Sequence, residues 1–309
     1  MPQDGGNKDG HGGPVRFSAM RTLLVGTSTA SWREWVREYR NSADLLLLSP
    51  SQAGYGFPAR YAFLSQNGVQ ERFFGSLDPL RSPHVTVATA ARFGKASQET
   101  MVLLGDLGKT ALARQVTEAV VEAFQPEKIL VPFGGHAWHP SAHETELASM
   151  PPPAVIQAQR RAHWIDLLER SHLHEFGFND LRFQGTRLGS GVPVDVEGAL
   201  HAEKIGSSLY AIVGGAFEDR EVALALDRTG SSKAHLVTPE TFRGLLCALV
   251  RANGTEAGVG IIERFDLESG TISVRSPAVP PLPIATLRIG ALRLDREGNE
   301  IGELRPWAV

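Results

Sequence analysis

The stretch RTLLVGTSTASWREWVREYR, residues 21–40, decides how the first half of this 309-residue chain is read. TLLV is a short continuous apolar run of the kind expected for a strand buried on both faces. GTSTA is a tight polar loop, and SWREWVREYR has helical periodicity. DLLLLS, residues 44–49, supplies a second apolar run, so residues 21–49 read as a β-α-β unit with two adjacent parallel strands and a helix from about Ser31 to Arg40. Strand, glycine-led loop and helix is also the layout on which many proteins hold a nucleotide's phosphates.

Working outward, HVTVATAARF (84–93) and ETMVLLG (99–105) are further strand candidates. A helical pattern follows from about Leu107, with Ala111, Val116, Ala119, Val120 and Ala123 on one face, ending at Pro126. KILVPF then reads as another buried strand. The expectation is an α/β, P-loop NTPase-like, mostly parallel sheet over residues 20–175. Residues 1–19, rich in Gly and polar residues, read as a flexible tail, with Met20 a second candidate start.

Past ASMPPP the pattern changes. The helix AVIQAQRRAHWIDLLERSH leads into short alternating runs separated by the hairpin signals ANGT, ESG and REGN. Residues 176–309 therefore read as a mainly antiparallel β C-terminal domain.

Composition sets outer limits. The chain is 42% hydrophobic and 21% charged with a formal net charge of −3, which argues against a strongly basic nucleic-acid binder but leaves room for a local basic groove. Cys247 is the only cysteine, so no intrachain disulfide forms. No apolar run reaches the ~20 residues of a membrane span, and cytoplasm is the default compartment.

The segments FRGLLCALVRANGTEAGVGIIERFD (242–266) and TISVRSPAVPPLPIATLRIGALRLDREGNEIGEL (271–304) resemble the C-terminal domain of the polynucleotide 5′-hydroxyl kinases, which process RNA ends. RRAHWIDLLERS followed by FNDLRFQGTRLGSG is similar to that family's passage out of its kinase domain. PSQAGYGFPARYAFLS, FFGSLDP and FQPEKILVPF resemble its N-terminal segments, in the same order. The resemblance implies a phosphate loop of the form GxxxxGK[ST], in which backbone N–H groups cradle phosphates, Lys reaches the β/γ-phosphates and a hydroxyl holds Mg²⁺. Placed on that pattern, Gly26 keeps the first glycine and Thr27, Ser28 and Thr29 follow. Ser31 replaces the second glycine, Trp32 the lysine and Arg33 the hydroxyl residue.

The family's acidic residues ahead of its PGQ motif become Leu47 and Ser49, with Gln52 alone remaining. Its D[TS].G motif becomes Gly105-Asp106-Leu107-Gly108, with Asp106 one position out. The resemblance thus implies a degenerate phosphate loop and no catalytic residues, in a protein that acts by binding single-stranded RNA or a protein partner. Two alternatives stand beside it. One is a working kinase or nucleotide hydrolase that uses ATP and Mg²⁺ through a rearranged site with Asp106 and Lys109; the other is a structural scaffold.

GDLGKT is a decoy for the phosphate loop, since the pattern would need glycine where Leu103 stands. In GGHAWHPSAHE, His136, His139, His143 and Glu144 have metal-ligand chemistry, but Pro140 prevents one helical face from presenting them. The segment reads as an exposed loop without a metal. Arg160, Arg161 and Trp164 either contact RNA phosphates and bases or serve amphipathic packing, and both readings stay open. In the RNA-binding reading, the strand lies in the cleft between the α/β edge and the C-terminal domain.

Overall fold

The computed structural model describes residues 21–27, 43–52, 56–94, 99–133, 139–145, 150–278 and 283–305. The expected tail, the helix at 31–40 and the loop residues Ser28, Thr29, Ser31, Trp32 and Arg33 lie outside these, as does His136.

The first half is a seven-stranded sheet: β1 (Thr22–Val25), β2 (Asp44–Leu48), β3 (Arg60–Ser65), β4 (Gly68–Phe73), β5 (Thr100–Leu104), β6 (Lys128–Pro132) and β7 (Ala142–Thr145), in the order β4-β3-β2-β5-β1-β6-β7. From β2 to β7 every pairing is parallel, and β3 and β4 are antiparallel additions at one edge. The run of leucines in β2 is explained by its central place. Leu45 and Leu47 enter the core on one face, Leu46 and Leu48 the core on the other.

The strands β1 and β2 are parallel but not adjacent, contrary to the expectation. β5 lies between them and pairs with both. The chain leaves a gap when it crosses from β1 to β2, and β5 returns to fill it. The crossover from β5 then passes over β1 to β6, so successive connections go opposite ways from the middle of the sheet. Such a switch point opens a crevice at the strands' C-terminal ends.

HVTVATAARF is also not a strand. It forms most of helix α1 (Pro83–Gly94), with Thr86, Thr89 and Ala90 buried at helical spacing. Pro83, at the first helical position, presets the backbone, and this outweighs the strand preference of Val85 and Val87. Helix α2 (Ala111–Phe124) is capped by Thr110, whose hydroxyl accepts from Ala113 N, and stops with Gln125 in a left-handed conformation before Pro126. Its buried face is Ala113, Val116, Thr117, Val120 and Phe124, rotated from the one expected: Ala111 is exposed, and Ala119 and Ala123 are half-buried. The segment 142–145, read as exposed loop, is the edge strand β7.

Helix α3 (Pro153–Glu169) leads out of this layer. β8 (His172–Gly177) and β9 (Arg182–Gln184) follow, then β10 (Val192–Pro193), β11 (Ala199–Ile205), β12 (Ser208–Val213), helix α4 (Asp219–Thr229) and β13 (Lys233–Val237). β14 (Leu245–Arg251), β15 (Glu256–Asp266), β16 (Thr271–Ser276), β17 (Ile284–Leu294) and β18 (Glu300–Glu303) close the fold. One sheet runs β18-β17-β14-β15-β16-β8, with β9 parallel to β17; a smaller one runs β10-β11-β12-β13. β8 pairs with β16, so its residues 172–175 run with the C-terminal sheet. Antiparallel pairing dominates as expected, except that β12 and β13 are parallel and joined through α4.

The larger C-terminal sheet is buried on both faces. In β14, Leu245, Cys247 and Leu249 join the core shared with the smaller sheet. Leu246, Ala248 and Val250 join a second core with Trp164 and Leu167 of α3 and with Ala59 and Phe73 of the first half. That second core binds the two halves together. At its rim two backbones touch: Gly75 O accepts from Ala291 N at 2.7 Å and Leu292 N at 3.0 Å.

Carboxylates from the C-terminal strands complete the junction. Glu256 accepts from Phe73 N at 3.0 and 2.9 Å and from Arg288 at 2.7 Å. Glu300 takes Arg160 in a two-pronged bond at 2.6 and 2.8 Å, and Glu303 accepts from Ser76 and Leu77 N.

Candidate functional site

The crevice at the switch point is built from the ends of β1, β2 and β5. Gly26 ends β1 with a positive φ of 70° and donates its N–H to Leu104 O at 3.0 Å. A side chain there would meet nothing within 4 Å, so the backbone angle alone calls for glycine. Thr27 is 0% exposed and Ser49, one residue past β2, is 1% exposed.

Gln52, 6% exposed, spans these strand ends. Its amide Nε2 donates to Ser49 Oγ at 2.9 Å and to Thr27 O at 3.4 Å, and lies 3.1 Å from Met150 Sδ. Gly105, at the end of β5, packs so tightly against Ser49 that a Cβ on it would stand 2.6 Å from Ser49 Oγ. The described strand ends are thus closed by neutral groups: a serine hydroxyl, a carboxamide, a thioether and backbone.

Asp106 and Lys109 sit on the adjoining β5–α2 turn, both exposed. Asp106 Oδ1 accepts from Gly108 N at 2.8 Å, an Asx turn that shapes this loop. Lys109 immediately precedes Thr110, the cap of α2, and leaves the same sheet edge as Gly26. The structure therefore brings Thr27, Ser49 and Gln52 together and leaves Asp106 and Lys109 at the rim.

The other candidates part company. Trp164 is 0% exposed, with its indole N–H donating to Glu300 Oε1 at 2.9 Å, so it is core and offers no face to a base. Arg160 is held by Glu300 and also donates to Ser51 O at 3.2 Å, which commits it to the junction; Arg161 is exposed. Packing is the reading this geometry supports for Arg160 and Trp164. His139 Nδ1 accepts from Ser141 N, and His143 and Glu144 project from β7. No group of three metal-ligating side chains occurs among the described residues. Among the described residues, no helix is long and apolar enough to cross a membrane.

The sequence suggested a cleft between the α/β layer and the C-terminal domain without naming the residues that line the groove there. The two halves meet along a groove of about 790 Å³ lined by Arg72, Arg187, Lys233, Arg288 and His84, with no Asp or Glu in its wall among the described residues. Single arginines from Arg72 to Arg288 carry no motif, and only the fold brings them together.

No family profile matches the chain. It is 25% identical over 183 residues to a polyribonucleotide 5′-hydroxyl-kinase of Thermococcus kodakarensis, covering 58% of this chain and 51% of that protein. It is 26% identical over 157 residues to a polyribonucleotide 5′-hydroxyl-kinase of Methanocaldococcus jannaschii, covering 47% of this chain and 42% of that one. The chain thus spans about half the length of these curated relatives. Among solved structures it is similar to a chain of the Clp1p–Pcf11p complex, with a TM-score of 0.53 over 89% of this chain and 75% of that one at 11% identity. A wild-type Clp1p–Pcf11p complex gives 0.52 over 89% and 74%, at 10% identity. At that identity the likeness is one of fold. Sequence similarity to the polyribonucleotide 5′-hydroxyl-kinases and a fold shared with the Clp1p–Pcf11p structures support a relationship to the polynucleotide 5′-hydroxyl kinase family.

Proposed function

We propose that this chain is a member of the family that does not transfer phosphate, and that it works by holding RNA. The observation that carries this reading is the closure of the strand ends around Ser49. Phosphoryl transfer from ATP to a 5′-hydroxyl needs a cation on the β/γ-phosphates, Mg²⁺, and a group to take the hydroxyl's proton. The position that matches the family's acid is Ser49, buried, bonded by Gln52 and pressed on by Gly105. A serine so placed is no base at neutral pH. The matched loop positions Trp32 and Arg33 supply neither the point charge nor the Mg²⁺ ligand. Each missing group costs on the order of 10²–10³ in rate.

The test is direct. The protein is incubated with γ-labelled ATP, Mg²⁺ and RNA bearing a 5′-hydroxyl, and ATP–Mg²⁺ binding is measured by calorimetry. No labelled RNA and no ATP binding are expected, whereas robust transfer would overturn the reading. One observation favours the rearranged kinase instead: Lys109 is exposed on a loop leaving the same edge as Gly26. If transfer occurs, Lys109→Ala should abolish it.

A further inference from the structure

We infer that the groove between the two halves, lined by Arg72, Arg187, Lys233 and Arg288, is a binding site for the phosphodiester backbone of single-stranded RNA, separate from the switch-point crevice. This rests on the reading above that the chain holds RNA, and adds where and by which groups. Arg72 lies on β4, four strand positions from β1 in the sheet order, which is about 19 Å at ~4.8 Å per strand. The groove is thus not an extension of the phosphate loop.

Three observations converge. First, the charge is unbalanced. Eight other arginines have carboxylate partners among the described residues, including Arg60, Arg81 and Arg160 at the junction. Arg72, Arg187 and Lys233 have none, although all three face one recess. Arg288 does have Glu256, but that carboxylate is shared with Arg60 and with Phe73 N.

Second, the cations are held in place rather than left to wander. Arg72 donates to Thr89 Oγ1 at 3.2 Å, and Arg288 donates Nε to Gln184 Oε1 at 3.2 Å. The loop carrying Arg187 is pinned by buried Glu203, whose carboxylate oxygens accept from Gly189 N and Gly191 N at 2.8 Å each. Leu188, fully buried, anchors the same loop from beneath.

Third, burial first, then the nearby charges of Arg288 and Arg92, disfavour the proton on Arg72 and outweigh the opposing effect of Glu256. Like charges held together in the free protein are relieved by a polyanion. Arginine's planar fork suits phosphate oxygens two at a time. Phe74, whose ring stacks on Tyr61, and His84 line the same wall.

The test is a titration of a fluorescent oligouridine about ten nucleotides long into the whole protein at two salt concentrations. With four phosphate contacts, each adding ~0.7 to the salt slope of a single strand, affinity should fall about fiftyfold from ~50 to ~200 mM salt. The double variant Arg187→Glu, Lys233→Glu changes two residues on the groove's rim. It should bind at least about tenfold more weakly and lose only about sevenfold over the same salt range. Arg161→Glu, exposed on α3 outside the groove, should bind as the native protein does. Melting temperatures of all variants check that they fold.

RNA binding that is unchanged in the double variant would overturn the groove while leaving the RNA reading intact. No binding even at low salt would overturn both. Equal binding of poly-glutamate, displaced by the double substitution, would overturn RNA as the ligand and assign the groove to an acidic protein segment.

Discussion

Replacing Gly75 with alanine tests how the two halves are joined. Gly75 has a φ of 81°, where a Cβ costs about 1 kcal/mol. That Cβ would also stand 2.6 Å from Gly290 Cα and 2.9 Å from the Phe73 ring, and Gly290 is backbone that cannot rotate aside. Relief requires the two chains to part, which breaks the bonds from Ala291 N and Leu292 N to Gly75 O. Each of the two bonds lost from a buried group costs about 1–3 kcal/mol, so with the backbone cost the total is roughly 3–7 kcal/mol. Gly254 is the control: its φ is 82°, but a Cβ there meets nothing within 4 Å, so Gly254→Ala should cost only the backbone term of about 1 kcal/mol. An unfolding entropy of about 2.1 cal/mol/K per residue over 309 residues converts 1 kcal/mol to about 1.5 °C. Thermal melting should therefore show a loss of about 5–11 °C for Gly75→Ala and about 1–2 °C for Gly254→Ala. Equal losses would refute the close backbone approach. Gly290→Ala, whose Cβ would stand 2.6 Å from Gly75 O, should be as damaging, and the pair should cost less than the sum because either change already opens the same contact.

Three further outcomes are expected. Burial pushes Glu203 up, but the His201 ring and the N–H groups of Gly191 and Gly189 outweigh it and hold its carboxyl below the usual range. A depressed carboxylate stabilises the fold above the unfolded value of about 4.3, and that contribution is lost as pH falls through the lower folded value. Melting followed from pH 7 to pH 3 should show this loss in the native protein and not in Glu203→Gln, which itself should start about 1–3 kcal/mol less stable. Cys247 is fully buried and its thiol is pushed well up by burial. A thiol reagent should leave it untouched in the native protein and label it in denaturant, and fast native labelling would contradict the packing of β14. Glu300→Ala strands both Arg160 and the Trp164 indole in the junction and should cost about 3–5 kcal/mol by urea unfolding, with no more than about 1 kcal/mol lost if that network contributes nothing.

What the sequence disclosed follows from which signals are local. The apolar runs of β1, β2, β5 and β6 are contiguous, and the helical face of α2 lies within fourteen residues, so both could be read. Strand order is not local: nothing near Leu23 or Leu46 announces that Val102 will stand between them. Periodicity misled at HVTVATAARF, where alternating β-branched residues mimic a strand and Pro83 is the feature that tips the balance. Helix α4 was missed because its apolar face is thin: Ala225 is buried but Leu224 remains exposed, and its support is local, with Glu221 accepting from Glu218 N at 2.7 Å and Gly230 closing its end. At the site, the glycine, Ser49 and Gln52 were legible through the family resemblance. That Gln52 bridges β1 and β2 was not, and neither was the burial of Trp164, since amphipathic helix and binding surface have the same spelling.

The Glu303 clasp has a consequence for how the chain is made. Its carboxylate holds Ser76 and Leu77, partners that precede it by 227 and 226 positions. At about 5–20 residues per second, the ribosome needs on the order of ten to forty seconds to cover that distance. Throughout that interval the first sheet has emerged while Ala59 and Phe73, the apolar surface it contributes to the junction, still wait for the β14 and β17 residues that cover them. The first half is therefore born with a sticky flank, and a nascent chain halted before residue 245 should recruit chaperones more heavily than one carried through residue 305.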